Sequence, residues 1–125
     1  MNTSETARAG LNAGGFMAHR SNALGLIRRD IPGCPDRARD VLAGLAERHG
    51  LRLVFTVELV AGPQVSKLAV AQHISEHDAV AVIVPSFGHA DAVRQVVTGA
   101  AALITPVRVY PRGYRWPALE AGGQL

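Results

Sequence analysis

The residues best suited to chemistry fall into a few short stretches. Cys34 stands in Cys34-Pro-Asp-Arg-Ala-Arg39, just ahead of a segment with helical spacing. There the positive end of a helix, with Arg37 and Arg39 nearby, would support a thiol nucleophile. The cysteine phosphatase pattern Cys-x5-Arg is missed by one, because Arg39 comes a position early and Asp40 stands where the arginine belongs. Pro35-Asp36 also lacks the glycines that let backbone amides wrap a phosphate. A capping or packing cysteine is the simpler reading.

His73-Ile-Ser-Glu-His77 has the spacing His-x-x-Glu-His. On a helix this puts His73 and His77 on one face, as two ligands to zinc would be. A third ligand would have to come from Asp78, Asp91 or Glu120. Histidines closing a helix are better explained by its negative pole, so a solvated helix end is preferred and no metal or other cofactor is expected. Ser86 and His89 could pair as nucleophile and base across a turn, with Asp91 close in the chain. Serine is also a good helix N-cap, which asks for less.

Arg108, Tyr110, Arg112, Tyr114, Arg115 and Trp116 interleave charge with aromatic rings and form the candidate binding surface. Such a cluster could stack single-stranded nucleic acid or anchor a protein partner. The alternative is a tail folded back so that Trp116 covers apolar surface.

These side chains need a frame, and the apolar pattern supplies one. Ala23–Arg28 is a short apolar run ending in charge, and Pro35 and Asp36 suit the start of a helix. Val41, Leu42, Leu45 and Ala46 give that helix one apolar stripe, and Gly50 ends it. Leu51–Val57 predicts a second strand. A second helix spans about 64–77 after the break at Ala61-Gly-Pro63, and Ala79–Val84 is the clearest buried strand. Val93, Val96, Val97 and Ala100 predict a third helix, begun by Ser86 or Gly88. Leu103, Ile104, Val107 and Val109 supply a fourth strand, interrupted at Pro106.

Strands alternating with helices imply right-handed crossovers and a mostly parallel sheet in a three-layer α/β fold. The expectation is four strands with flanking helices: a flexible tail over 1–22, the domain over 23–110 and an irregular tail over 111–125. In such folds ligands gather beyond the carboxyl ends of the strands. That edge would carry Arg28, Arg29, Asp30, Cys34, Glu58, Ser86 and His89.

Composition agrees with one globular domain. Of 125 residues, 48% are hydrophobic and 18% charged, and with three Phe, two Tyr and one Trp the core must rest on aliphatic side chains. The net charge of +3 is mild; it suits an acidic partner without requiring one. A single cysteine excludes an internal disulfide and fits a reducing cytoplasm. No stretch is long and apolar enough to span a bilayer.

Gly25-Leu-Ile-Arg-Arg-Asp30 resembles the start of the serine recombinase (resolvase and invertase) catalytic domain, Gly-Tyr-x-Arg-x-Ser. Asp78-Ala-Val-Ala-Val-Ile-Val-Pro-Ser-Phe-Gly88 is similar to that family's apolar strand leading into Asp-Arg-Leu-x-Arg. The resemblance covers roughly 23–109 and implies a resolvase-like fold. The departures lie at the chemistry. Leu26 stands for the tyrosine, Arg28 keeps the arginine, and Asp30 replaces the nucleophilic serine. Pro85, Ser86 and His89 replace the aspartate and both arginines. The resemblance therefore implies an inactive catalytic domain, with Arg28, Asp30, Ser86 and His89 as a vestigial site. An interaction or regulatory role, through self-association or a protein partner, is expected, and DNA is a further candidate. The alternative is a small thiol or phosphoryl-transfer enzyme built on Cys34 and Arg28.

Overall fold

The structure, a computed structural model, describes residues 20–60 and 63–117, with only the backbone described for 63–65. The expected flexible segment therefore lies, up to residue 19, outside the described residues. In order the elements are β1 (Ser21–Arg28), α1 (Pro35–Arg48), β2 (Leu51–Leu59), α2 (Pro63–Glu76), β3 (Ala81–Ile83), α3 (Arg94–Ala100), β4 (Ala102–Ile104) and β5 (Val109–Tyr110). Two 3-10 turns, Phe87–His89 and Asp91–Val93, lead into α3.

The sheet has five strands in the order β2-β1-β3-β4-β5. The first four are parallel and β5 runs antiparallel to β4. The fold is thus α/β with a mostly parallel sheet, one strand larger than expected. The predicted fourth strand divides in two at its interruption. Thr105 Oγ1 accepts hydrogen bonds from the N–H groups of Val107 and Arg108 at 3.3 and 3.0 Å, closing a turn around Pro106. The side-chain acceptor satisfies the amides that would otherwise extend the strand, so the chain reverses.

β1 lies between β2 and β3, and Ala23–Ile27 are all buried, as a strand covered on both faces requires. β1 also begins earlier than the apolar run suggests, because Ser21 and Asn22 pair with Leu51 and Arg52. One core layer joins Ala23, Ile27 and Ile83 to Leu42, Leu45 and Ala46 of α1. The opposite layer joins Leu24, Leu26, Val82 and Leu103 to α2 and α3 through Val70, Ile74 and Val97. The helix expected from the Val41–Ala46 stripe and the one expected over about 64–77 are both present.

β2 changes face part-way along. Its register against β1 shifts between Ala23 and Leu24, where Leu53 and then Phe55 are the partners and Val54 is the extra residue. Leu51 and Leu53 pack with the α1 layer, whereas Val54, Val57 and Leu59 pack with the α2 layer. A strand of strict period two could not do this; one bulged residue moves every later side chain to the other face.

The third helix is shorter than predicted. The chain instead tightens from Phe87, with Ala90 N donating to the Phe87 carbonyl at 2.8 Å and Val93 N to the Ala90 carbonyl at 2.9 Å. Ser86 occupies the cap position with extended backbone, but its side chain makes no capping bond. Arg94 Nη1 reaches back to the Asp91 carbonyl and carboxylate at 2.8 and 2.9 Å.

Gly25 allows α1 to sit directly on β1. A Cβ there would lie 2.7 Å from Leu42 Cδ1 and 2.9 Å from Thr56 Oγ1. Gly25→Ala must therefore push a buried leucine and a β2 side chain aside. The expected cost is about 1–3 kcal/mol, read as a lower urea midpoint at unchanged slope.

Candidate functional site

The strand order places a switch point between β1 and β3, because α1 covers one face of the sheet and α2 and α3 the other. In doubly wound sheets the crevice beyond the carboxyl ends at such a point is where ligands bind. Here it is a cavity of about 350 Å³, lined among others by Arg28, Cys34, Arg37, Arg39, Glu58 and His89. β1 delivers Arg28 and Arg29. The loop that follows turns at Gly33, whose φ of +149° favours glycine, and α1 begins at Pro35 with Cys34 as its cap residue.

Arg28 is held by Asp30. Its Nε donates to Asp30 Oδ1 at 3.0 Å and its Nη2 to Asp30 Oδ2 at 2.5 Å, a two-pronged pair. Hydrogen bonding to Arg28 draws the Asp30 carboxyl below its usual range, and the same bond raises Arg28.

His89 reaches the same place from the first 3-10 turn. The backbone N–H of Arg28 donates to His89 Nδ1 at 2.9 Å, at the last residue of β1. With Nδ1 accepting, the neutral ring carries its proton on Nε2. The residue is only 7% exposed. Burial and the positive charge of Arg28 push its pKa below 6.5, against a smaller opposing effect of Asp30.

Arg29 and Arg39 also meet a carboxylate, whereas Arg37, which lines the cavity too, has none against it among the described residues. Arg39 Nη2 meets Glu58 Oε2 at 2.5 Å, and Arg29 Nη1 lies 3.7 Å from Glu58 Oε1. Arg39 Nη1 is 3.9 Å from Asp36 Oδ1. Cys34 is exposed, and its side chain makes no capping hydrogen bond to α1.

Of the residues singled out from sequence, the structure brings Arg28, Asp30 and His89 into contact. Ser86 is exposed, does not line the cavity, and joins His89 only through a backbone bond, His89 N to the Ser86 carbonyl at 3.2 Å. The aromatic cluster lies elsewhere, beside α3. Tyr110, Tyr114 and Trp116 pack on one another, with ring centroids 4.7–5.1 Å apart. Phe87 touches Tyr110 and Trp116. Trp116 Nε1 donates to Thr98 Oγ1 at 2.9 Å, Arg94 stacks on the indole, and Arg108 lies over Tyr110 at 4.7 Å. Arg112 and Arg115 are exposed. The segment after β5 is thus packed on the domain as far as Trp116.

Sequence reasoning missed Phe55. Its ring stacks on His73 and His77 at 5.0 and 5.1 Å. No signal in the period-two pattern could have found this, because the bulge at Val54 decides which face Phe55 occupies. Comparison with protein families, characterised proteins and solved structures found no match to the chain. Among the described residues, no helix is long and apolar enough to cross a membrane.

The His89 contact has a measurable signature. An unfolded chain takes up a proton near pH 6.5, whereas the folded ring resists it. Protons then favour the unfolded state, so stability is present above that pH and declines as pH falls below it. His89→Asn keeps an acceptor for the Arg28 N–H but removes the titration. Denaturant unfolding at stepped pH is expected to show a shallower decline in the variant; equal slopes would refute the assignment.

Proposed function

We propose that the chain is a non-catalytic α/β module, resolvase-like in the pattern of its strand ends, that acts by binding a partner. The observation that carries this reading is the two-pronged Arg28–Asp30 pair. Phosphoryl transfer of the resembled kind needs a hydroxyl nucleophile and guanidinium groups able to meet phosphate charge. Here a carboxylate stands at the nucleophile's position and holds the guanidinium. Glu58 meets Arg39 through a single hydrogen bond, and His89 uses Nδ1 on the backbone rather than on a reacting proton.

The partner is a second copy of the chain or another protein. β2 is an edge strand, and an edge offers unpaired backbone groups to a neighbour. Phe55 on β2, Val60 just after it and Leu68 on α2 are exposed apolar side chains. Tyr110, Tyr114 and Trp116 already contact one another, which leaves them less face for stacking bases and makes DNA the weaker reading.

Incubation of the full chain with labelled duplex DNA, followed by denaturing electrophoresis, is expected to show no covalent protein–DNA species. A denaturant-resistant adduct would overturn the non-catalytic reading, and its loss in Cys34→Ser would favour the thiol alternative. Sedimentation across a range of concentrations is expected to show reversible self-association, reduced in Phe55→Glu. A strict monomer would leave only the heterologous partner.

A further inference from the structure

We infer that α2 carries a binding site for a divalent transition-metal ion of the zinc type, held by His73, Glu76 and His77. The site lies on the α2 side of β2 and shares none of its ligands with the strand-end cavity. Helical spacing brings residues three and four apart onto one face. A ligand atom from each of the three side chains lies within 4.8 Å of the other two. Zinc bonds nitrogen and oxygen at about 2.0–2.2 Å, which needs ligand atoms roughly 3 Å apart. Side-chain rotations would have to close that gap, and residues sharing one helix face can make them.

Sequence spacing alone sends the search for a third ligand to Asp78, Asp91 or Glu120. The structure supplies it within the motif: Glu76 Oε1 is 3.7 Å from His73 Nδ1. That nitrogen is buried and has no hydrogen-bond partner, so it faces the carboxylate without being satisfied by it. A buried polar atom in this state calls for an explanation, and a bound ion is one.

The surroundings hold the ligands in place. Phe55 stacks on both imidazoles, which lie side by side with ring planes 15° apart. Gln72 Nε2 donates to Glu76 Oε2 at 3.0 Å, the kind of outer contact that orients a ligating carboxylate. The end of the helix is tied to the sheet, since Asn22 Nδ2 donates to the His77 carbonyl at 2.8 Å and Arg52 holds Asn22 Oδ1.

Two imidazoles and one carboxylate select the metal class. Calcium and magnesium favour all-oxygen sites, whereas imidazole suits zinc, nickel and copper. Three protein ligands leave a coordination position for water or for a side chain of a docking partner.

Titration of the full chain with zinc against a metallochromic competitor is expected to show one tight equivalent, undisturbed by excess magnesium. Removing a ligand in His73→Ala or His77→Ala should weaken binding by more than the ~10–100-fold typical of an outer-contact loss. His49→Ala, in the exposed histidine after α1, should leave it unchanged. Absence of binding to the wild-type chain, or equal binding by the His73→Ala/His77→Ala double variant, overturns the proposal. Because those variants could disturb α2, the wild-type protein provides a second measurement. Substoichiometric copper should broaden the ring resonances of His73, His77 and Phe55 before those of His49 and His89. Uniform broadening, or His49 or His89 first, also overturns it.

Discussion

One inserted residue in β2 governs both faces of this molecule. Val54 shifts the register against β1, and from Phe55 onward the strand presents its odd-numbered side chains to α2. Glu58 thereby points toward α1, where it meets Arg39 and Arg29 at the strand ends. Phe55 points the other way and packs under His73 and His77. Had β2 continued without the bulge, Phe55 would share a face with Leu51 and Leu53, and Glu58 would face α2. The carboxylate of the cavity and the aromatic platform of the histidine pair both depend on that single irregularity.

At the strand ends, charge pairing decides what the cavity does. A doubly wound sheet provides a crevice there whatever its sequence. Arginines lining it would attract a phosphate if they were uncompensated. Each of Arg28, Arg29 and Arg39 instead has a carboxylate within 4.0 Å. An anion meeting Arg28, Arg29 or Arg39 would have to displace Asp30 or Glu58; among the described residues, only the exposed Arg37 lines the cavity without a carboxylate against it. These exposed pairs add little to stability, but they set the local field that a ligand would meet. His89 adds a structural link to this arrangement, because its ring joins the turn after β3 to the backbone of β1.

Much of the frame was legible in the sequence. The Ala23–Arg28 and Ala79–Val84 runs, the Val41–Ala46 stripe and the placement of Arg28, Asp30 and His89 at one edge follow from periodicity and topology. What escaped was set by local hydrogen bonds and by tertiary fit. The turn around Pro106 rests on the hydroxyl of Thr105, so one predicted strand became two of opposite direction. The third helix began late because Phe87–Val93 tightens into 3-10 turns that bring His89 against β1. The departure of Ser86 from the cavity belongs to the same turn. Glu76 was visible as part of His-x-x-Glu-His, yet its role as a neighbour of His73 depends on side-chain conformations that spacing does not specify.

The two candidate regions differ in how their polar groups are satisfied, and that difference orders their claims to function. At the strand ends, Arg28, Arg29 and Arg39 meet carboxylates and the His89 ring meets a backbone amide, which leaves Cys34 and Arg37, among the described residues, as the exposed groups without such a partner. On α2, His73 Nδ1 is buried beside a carboxylate and hydrogen-bonded to nothing. Burying a polar atom without a partner opposes folding, and a metal ion would reverse that cost by using its lone pair. The same ion, with a coordination position open beside the β2 edge, would give a partner strand a point of attachment that hydrophobic contact with Phe55 and Leu68 alone does not. The cavity's charges are largely paired with one another, whereas the histidine face holds a buried nitrogen with no hydrogen-bond partner.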